Sequence, residues 1–152
     1  MNKLEVSAFD MAQRFVGIKE ISGTVSNAQI LAMLRLDNDW PAGDDVAWCS
    51  AFVNYVAWLL RLPRSKSLSA RSWLAVGQAV DQNPEVGFDV VVLKRGGTKQ
   101  PGPEVLAAPG HVGFYAGTSA NGSILVLGGN QGNAVNVTAF SPAQLLGIRR
   151  LL

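Results

Sequence analysis

The chain has 152 residues, of which 48% are apolar and 16% charged, with a formal charge of +2 and a pI near 8.9. That balance excludes a disordered or fibrous chain and fits a globular protein, and the length sets the expectation at one domain over 1–152. Lys and Arg are dispersed rather than clustered, so nucleic acid is not an expected partner, while weak attraction to an anionic surface stays open. One cysteine cannot close an internal disulfide, so folding does not require an oxidising compartment. The N-terminal segment lacks the apolar core of a secretory signal and no apolar run is long enough to span a bilayer; the expectation is a protein made in the cytoplasm, without stable membrane insertion.

Leu4, Ala8, Met11, Ala12, Phe15 and Val16 recur at helical spacing and predict a first amphipathic helix ended by Gly17. Ser26 or Asn27 can cap a second helix that carries Ile30, Leu31 and Leu34. Asp37 to Asp45, with Trp40, Pro41 and Gly43, reads as a loop leading to Cys49. From there to Leu62 the pattern is that of a buried helix stopped by Pro63, and Ser69 to Gly77 suits a short helix carrying Trp73. The remainder changes character. Asp89 to Leu93, His111 to Ala116, Ile124 to Leu127, Val135 to Thr138 and Gly147 to Arg150 read as strands separated by turn chemistry. The expected fold class is α+β, with N-terminal helices packed on a small antiparallel β-sheet. Lys94 to Pro109, rich in Gly and Pro, is an exposed excursion and a candidate wall of the site. There are no internal repeats.

The only cysteine lies in Trp48-Cys49-Ser50-Ala51-Phe52-Val53 and the only histidine in Gly110-His111-Val112-Gly113-Phe114-Tyr115. A thiol is a working nucleophile as its thiolate, and histidine is the usual side chain that takes its proton near neutral pH. At the first turn of a helix, Cys49 would feel unpaired N–H groups and the positive end of the helix dipole, which favour thiolate. The same N–H groups, including that of Cys49, can hold the oxyanion formed on an attacked amide. The competing readings are a small core residue for a cysteine beside Phe52 and Val53, and a surface or structural residue for a lone histidine. The strands around His111 and Ile124 read as a hairpin, and its parity nominates a third group. A two-residue turn at Asn121-Gly122 puts Asn130 diagonal to His111 on one face, and a turn at Ala120-Asn121 puts it directly opposite. A slip of one residue between these registers favours Gln131 instead. Gly128 to Gly132 can also be read as a plain turn. One His and one Cys fall short of the three protein ligands usual for catalytic zinc, and there is no Gly-x-Ser-x-Gly elbow to support a serine nucleophile.

These strings, together with Gly17-Ile18-Lys19-Glu20-Ile21-Ser22-Gly23, Ser69-Ala70-Arg71-Ser72-Trp73-Leu74 and Leu127-Gly128-Gly129-Asn130-Gln131, give the chain a specific likeness. It resembles papain-like peptidoglycan hydrolases of the NlpC/P60 and CHAP superfamily, most of all the compact phage-type, endolysin-like group. The resemblance implies a papain-like fold with Cys49 as nucleophile, His111 as general base and then acid, and Asn130 as the polar group that orients the imidazole. It implies no cofactor and no metal, bacterial peptidoglycan as partner, and a monomer. The implied reaction is cleavage of a wall amide, as an N-acetylmuramoyl-L-alanine amidase or a stem-peptide endopeptidase, after holin-type release or injection to the wall. Trp48, Trp73, Tyr115 and Gln131 would line the substrate groove, and Arg71 would meet a substrate carboxylate. Two departures stand out: many CHAP domains carry a glutamate where Gly128 stands, and the second histidine frequent in NlpC/P60 members is lacking. A phage lysis enzyme is the expected role. The alternatives are a secreted antibacterial amidase toxin and a noncatalytic wall-binding or phage structural domain on the same scaffold, against which the presence of both Cys49 and His111 counts.

Overall fold

The computed structural model describes residues 2–23, 26–37, 43, 47–97 and 99–152. The expected loop from Asp37 to Asp45 therefore lies, except for Asp37 and Gly43, outside the described residues, Trp40 and Pro41 included.

Among the described residues three α-helices come first. Helix α1 runs Ala8–Gln13, later than the apolar spacing predicts, because a capping box fixes its start. The Ser7 hydroxyl accepts the Asp10 N–H at 3.1 Å and the Asp10 carboxylate accepts the Ser7 N–H at 3.0 Å. Leu4 is left 85% exposed, outside the helix. Helix α2, Ala28–Leu34, starts at the second of the two expected caps, with Asn27 Oδ1 accepting the N–H groups of Gln29 and Ile30. Helix α3, Cys49–Leu59, is buried along most of its length, as an almost wholly apolar helix must be. Ala70–Ala75 winds as a 3-10 helix rather than an α-helix, with the Ser72 N–H bonded to the Ser69 carbonyl and the Val76 N–H to the Trp73 carbonyl.

The strands are β1 Gln78–Ala79, β2 Asp89–Lys94, β3 Gly110–Thr118, β4 Ile124–Gln131, β5 Ala134–Phe140 and β6 Leu145–Arg150. They form one antiparallel sheet in the order β1-β6-β2-β3-β4-β5. The two-residue β1 and a 3-10 turn at Pro142–Gln144 are additions to the elements expected from sequence. One face of the sheet, through Val90, Val92, Val112, Phe114 and Leu127, packs with the helices into the main core. The other gathers Val91, Leu93, Tyr115, Val126 and Ile148 into a smaller cluster. Apolar side chains on both faces explain the unbroken Val90-Val91-Val92-Leu93 run of β2.

Two details of the β3–β4 hairpin position the site. Its connection spans residues 119–123, where the Ser119 N–H bonds the Ser123 carbonyl, so the turn is longer than the expected two residues. Pairing runs Thr118 with Ile124 and Gly117 with Leu125, shifts at a bulge, and continues as Tyr115 with Val126 and Phe114 with Leu127. Farther along, β4 approaches the start of α3 so closely that a Cβ on Gly129 would lie 2.6 Å from Trp48 Cζ3 and 2.9 Å from Phe52 Cβ. A glycine is needed there for the contact. It brings the end of β4 to the helix that begins with Cys49.

Candidate active site

Cys49 is the first residue of α3 and is 2% exposed. It lines a cleft of about 340 Å³ together with Ala70, Arg95, Pro109 and Gly110 among others. No side chain caps the start of α3, so its first N–H groups lack the usual competitor. Burial nevertheless pushes the thiol above its ordinary value of 9.0, against the N–H of Val112, the charge of Arg95, and the N–H groups of Ser50 and of Cys49 itself. This corrects the expectation that the helix start makes the thiol acidic: desolvation outweighs the local dipoles. Neighbouring Ser50 is a strut. Its hydroxyl donates to the Ser67 carbonyl at 2.6 Å and accepts the indole N–H of Trp73 at 2.9 Å.

His111 stands on β3 opposite Leu93, and its ring lies on the sheet face of the smaller cluster, whereas Val112 and Cys49 belong to the main core on the other face. Its Nε2 lies 2.9 Å from Gln131 Oε1, and the amide network decides which atom carries the proton. Gln131 Nε2 donates to the Val126 carbonyl at 3.1 Å, the Asn136 carbonyl at 2.7 Å and Asn136 Oδ1 at 3.0 Å. An amide flip would aim an oxygen at three acceptors, so Oε1 faces the imidazole and His111 Nε2 donates. In the neutral ring this leaves Nδ1 as the free base. Thr138 Oγ1 donates to Asn136 Oδ1 at 2.7 Å, and Phe140 stacks on the imidazole with centroids 5.3 Å apart. Asn136, Thr138 and Phe140 alternate along β5 on one face. Sequence reading missed Asn136 and Phe140, although the period-2 spacing of that strand held the signal.

The partner of His111 is thus Gln131, and the first choice, Asn130, is corrected. Pairing between β4 and β5 shifts between Gly128 and Gln131, and Asn130 takes a left-handed backbone with φ +58°. Past the bulge it is Gln131, not Asn130, that bonds the imidazole, the outcome that a one-residue slip would give. Gly128 is part of the arrangement. A Cβ there would sit 2.6 Å from Gln131 Oε1 and 3.4 Å from His111 Nε2, so glycine at this position leaves room for the glutamine.

Burial also lowers the His111 pKa below its ordinary 6.5; the Gln131 hydrogen bond opposes this and Arg95 reinforces it. Both shifts favour the neutral form, of the thiol and of the imidazole. A raised thiol pKa means that thiolate appears only as pH climbs through it. Alkylation of Cys49 by iodoacetamide is therefore expected to keep accelerating beyond pH 9.0. A rate already on its plateau in mildly acidic buffer would contradict the neutral pair.

The expected groove residues fall elsewhere. Trp48 and Trp73 are fully buried in the main core, their indole N–H groups satisfied by Glu20 Oε1 at 2.8 Å and Ser50 Oγ at 2.9 Å. Tyr115 belongs to the smaller cluster and shares a 2.6 Å hydrogen bond with Thr118. Arg71 is fully buried, and its guanidinium donates to the carbonyls of Pro101, Gly102, Val105 and Pro109 at 2.8–2.9 Å. Its donors are spent on the chain itself. It fastens the excursion that walls the Cys49 cleft, and so serves the site from behind. A second cleft, of about 260 Å³, is lined by His111, Asn130, Gln131, Phe140 and Arg95 among others. Among the described residues no three His, Cys, Asp or Glu side chains are grouped to hold a metal ion, and no helix is long and apolar enough to cross a membrane.

No family model and no curated protein matches the sequence. Among solved structures, an NlpC/P60 family protein from Bacillus cereus is similar over 99% of this chain, with a TM-score of 0.51 and 19% identity. The match spans 42% of that protein's chain. The likeness is one of fold: this is an α+β chain whose helices and antiparallel sheet are arranged as in an NlpC/P60 protein.

Proposed function

We propose that the chain is a cysteine hydrolase of the bacterial cell wall, cutting an amide bond of peptidoglycan with Cys49 as nucleophile and His111 as general base. The observation that carries this reading is the place of Cys49 at the uncapped start of α3, lining a cleft, with the tautomer of His111 fixed by its bond to Gln131. The NlpC/P60-like fold supports it. Residues 1–152 are read as one papain-like domain, and the Lys19-Glu20 and Arg71-Ser72-Trp73 strings, as marks of the compact phage-type group, support a phage lysis enzyme.

This mechanism requires the His111 ring to turn toward Cys49, where Nδ1 takes the thiol proton as sulfur attacks the carbonyl carbon of the amide. The oxyanion is stabilised by N–H groups at the start of α3, Cys49's own among them. Collapse breaks the C–N bond, and the amine leaves with the proton from His111. Water then adds to the thioester, giving its proton to His111, and the carboxylic acid and thiol are released. In the resting protein Phe140 stacks on the ring and the Gln131–Asn136–Thr138 chain holds its orientation.

The test is digestion of purified peptidoglycan followed by mass spectrometry of the soluble products. The expected result is a new amine and a new carboxyl terminus at one type of amide, which also tells an amidase from an endopeptidase. Products carrying only new reducing sugar ends would overturn the proposal.

A further inference from the structure

At the end of α3 away from Cys49, a groove of about 620 Å³ opens between the last helical turn and the chain that follows it. Its apolar wall is exposed: Trp58 keeps 48% of its surface in water and Leu59 39%, with exposed Pro63 beside them. The indole leans on the Tyr55 ring, centroids 5.7 Å apart. Arg61, Arg64 and Lys66 line the same groove. Asp37 holds Arg64 at 2.8 Å, whereas Arg61 and Lys66 stand exposed.

The backbone fixes both of these cations. Arg61 closes α3 in a Schellman turn, its N–H bonded to the Trp58 carbonyl at 3.2 Å and the Leu62 N–H to the Ala57 carbonyl at 2.9 Å, a position that glycine usually takes. The Lys66 N–H bonds Oδ1 of buried Asn54 at 3.0 Å, and Asn54 Nδ2 donates to Ser65 Oγ and the Ser67 carbonyl, each at 3.2 Å. Among the described residues, Arg61 at φ +57° and Lys66 at φ +55° are the only ones other than glycine and asparagine with a left-handed backbone. That conformation strains an L side chain, and strain of this kind gathers at functional sites. Glycine would suit either backbone better. What the two residues add is positive charge at the rim of an exposed apolar groove.

We propose that this groove docks the protein on an anionic phospholipid surface, with Trp58 and Leu59 entering the headgroup layer and Arg61 and Lys66 meeting lipid phosphates. A hydrophilic polyanion would be held by the cations alone; an indole and a leucine flanked by cations match a boundary that is apolar on one side and charged on the other. The contact is peripheral and needs no spanning helix. It does not depend on amide hydrolysis, since the groove lies about 15 Å along α3 from Cys49.

The test is cosedimentation of the full chain with phosphatidylglycerol vesicles and, as control, phosphatidylcholine vesicles. The expected result is partition onto the anionic vesicles and little onto the control. Arg61→Gly and Lys66→Gly each lower the partition about fivefold, and Trp58→Ser lowers it about fivefold or more with the charges intact. Because glycine suits the left-handed backbone, the two glycine variants keep or raise the Tm, which separates lost binding from lost folding. No binding to the anionic vesicles, equal binding to both lipids, or wild-type binding by the glycine variants would overturn the proposal. Binding that is lost with the cations but undiminished in Trp58→Ser would also overturn it, in favour of a hydrophilic polyanion.

Discussion

His111→Ala lowers kcat/KM on peptidoglycan fragments by about 10³-fold or more, because no other histidine is present to take the thiol proton. The effect grades along the network. Gln131→Ala lowers kcat by about 10- to 100-fold with KM little changed, since it frees the imidazole to rotate without touching substrate. Asn130→Gly keeps the left-handed backbone at φ +58° and costs about twofold or less, as expected of a side chain outside the hydrogen-bonded chain. Steady-state kinetics on one defined fragment ranks the three variants. An Asn130 effect larger than that of Gln131 would return the orienting role to the residue first favoured by strand parity, and near wild-type turnover by His111→Ala would remove that residue from the mechanism.

Arg71→Leu carries the largest expected cost to the fold, about 3 kcal/mol in urea unfolding, because four carbonyl oxygens lose a charged donor at once. The loop from Pro101 to Pro109 then turns outward to find water, which limits the loss and opens the wall of the Cys49 cleft. Trypsin cleavage after the exposed Lys99 is expected to accelerate in parallel. Arg71→Lys recovers little, since an ammonium cannot reproduce the planar fork that reaches four acceptors. Stability within about 0.5 kcal/mol of wild type, with unchanged proteolysis, would show that the loop holds without this anchor.

The α+β class, the helix beginning at Cys49 and the strand carrying His111 were all legible in the sequence, because long periodic segments and unique reactive side chains leave few alternatives. Element edges were less so. Apolar spacing extended α1 back to Leu4, whereas Ser7 and Asp10 together fix its start. The third member of the site was missed for a related reason. Strand parity assumes an unbroken ladder, and the bulge at the end of β4 moves every side chain beyond it to the other face. The groove residues failed on chemistry that sequence does not display: Trp48, Trp73 and Arg71 have polar atoms that fit a substrate and fit Glu20, Ser50 and four backbone carbonyls equally well. Their strings mark the fold because they join α3, the 3-10 helix and the cleft wall.

The central claim is that one thiol cleaves an amide. Release of new primary amines from purified peptidoglycan is measured for the wild-type protein and for Cys49→Ala at equal concentration and equal folded fraction. The account predicts steady release by the wild-type protein and none above the blank for Cys49→Ala. Equal release by the two proteins, or wall clearing with no new amines, would contradict it.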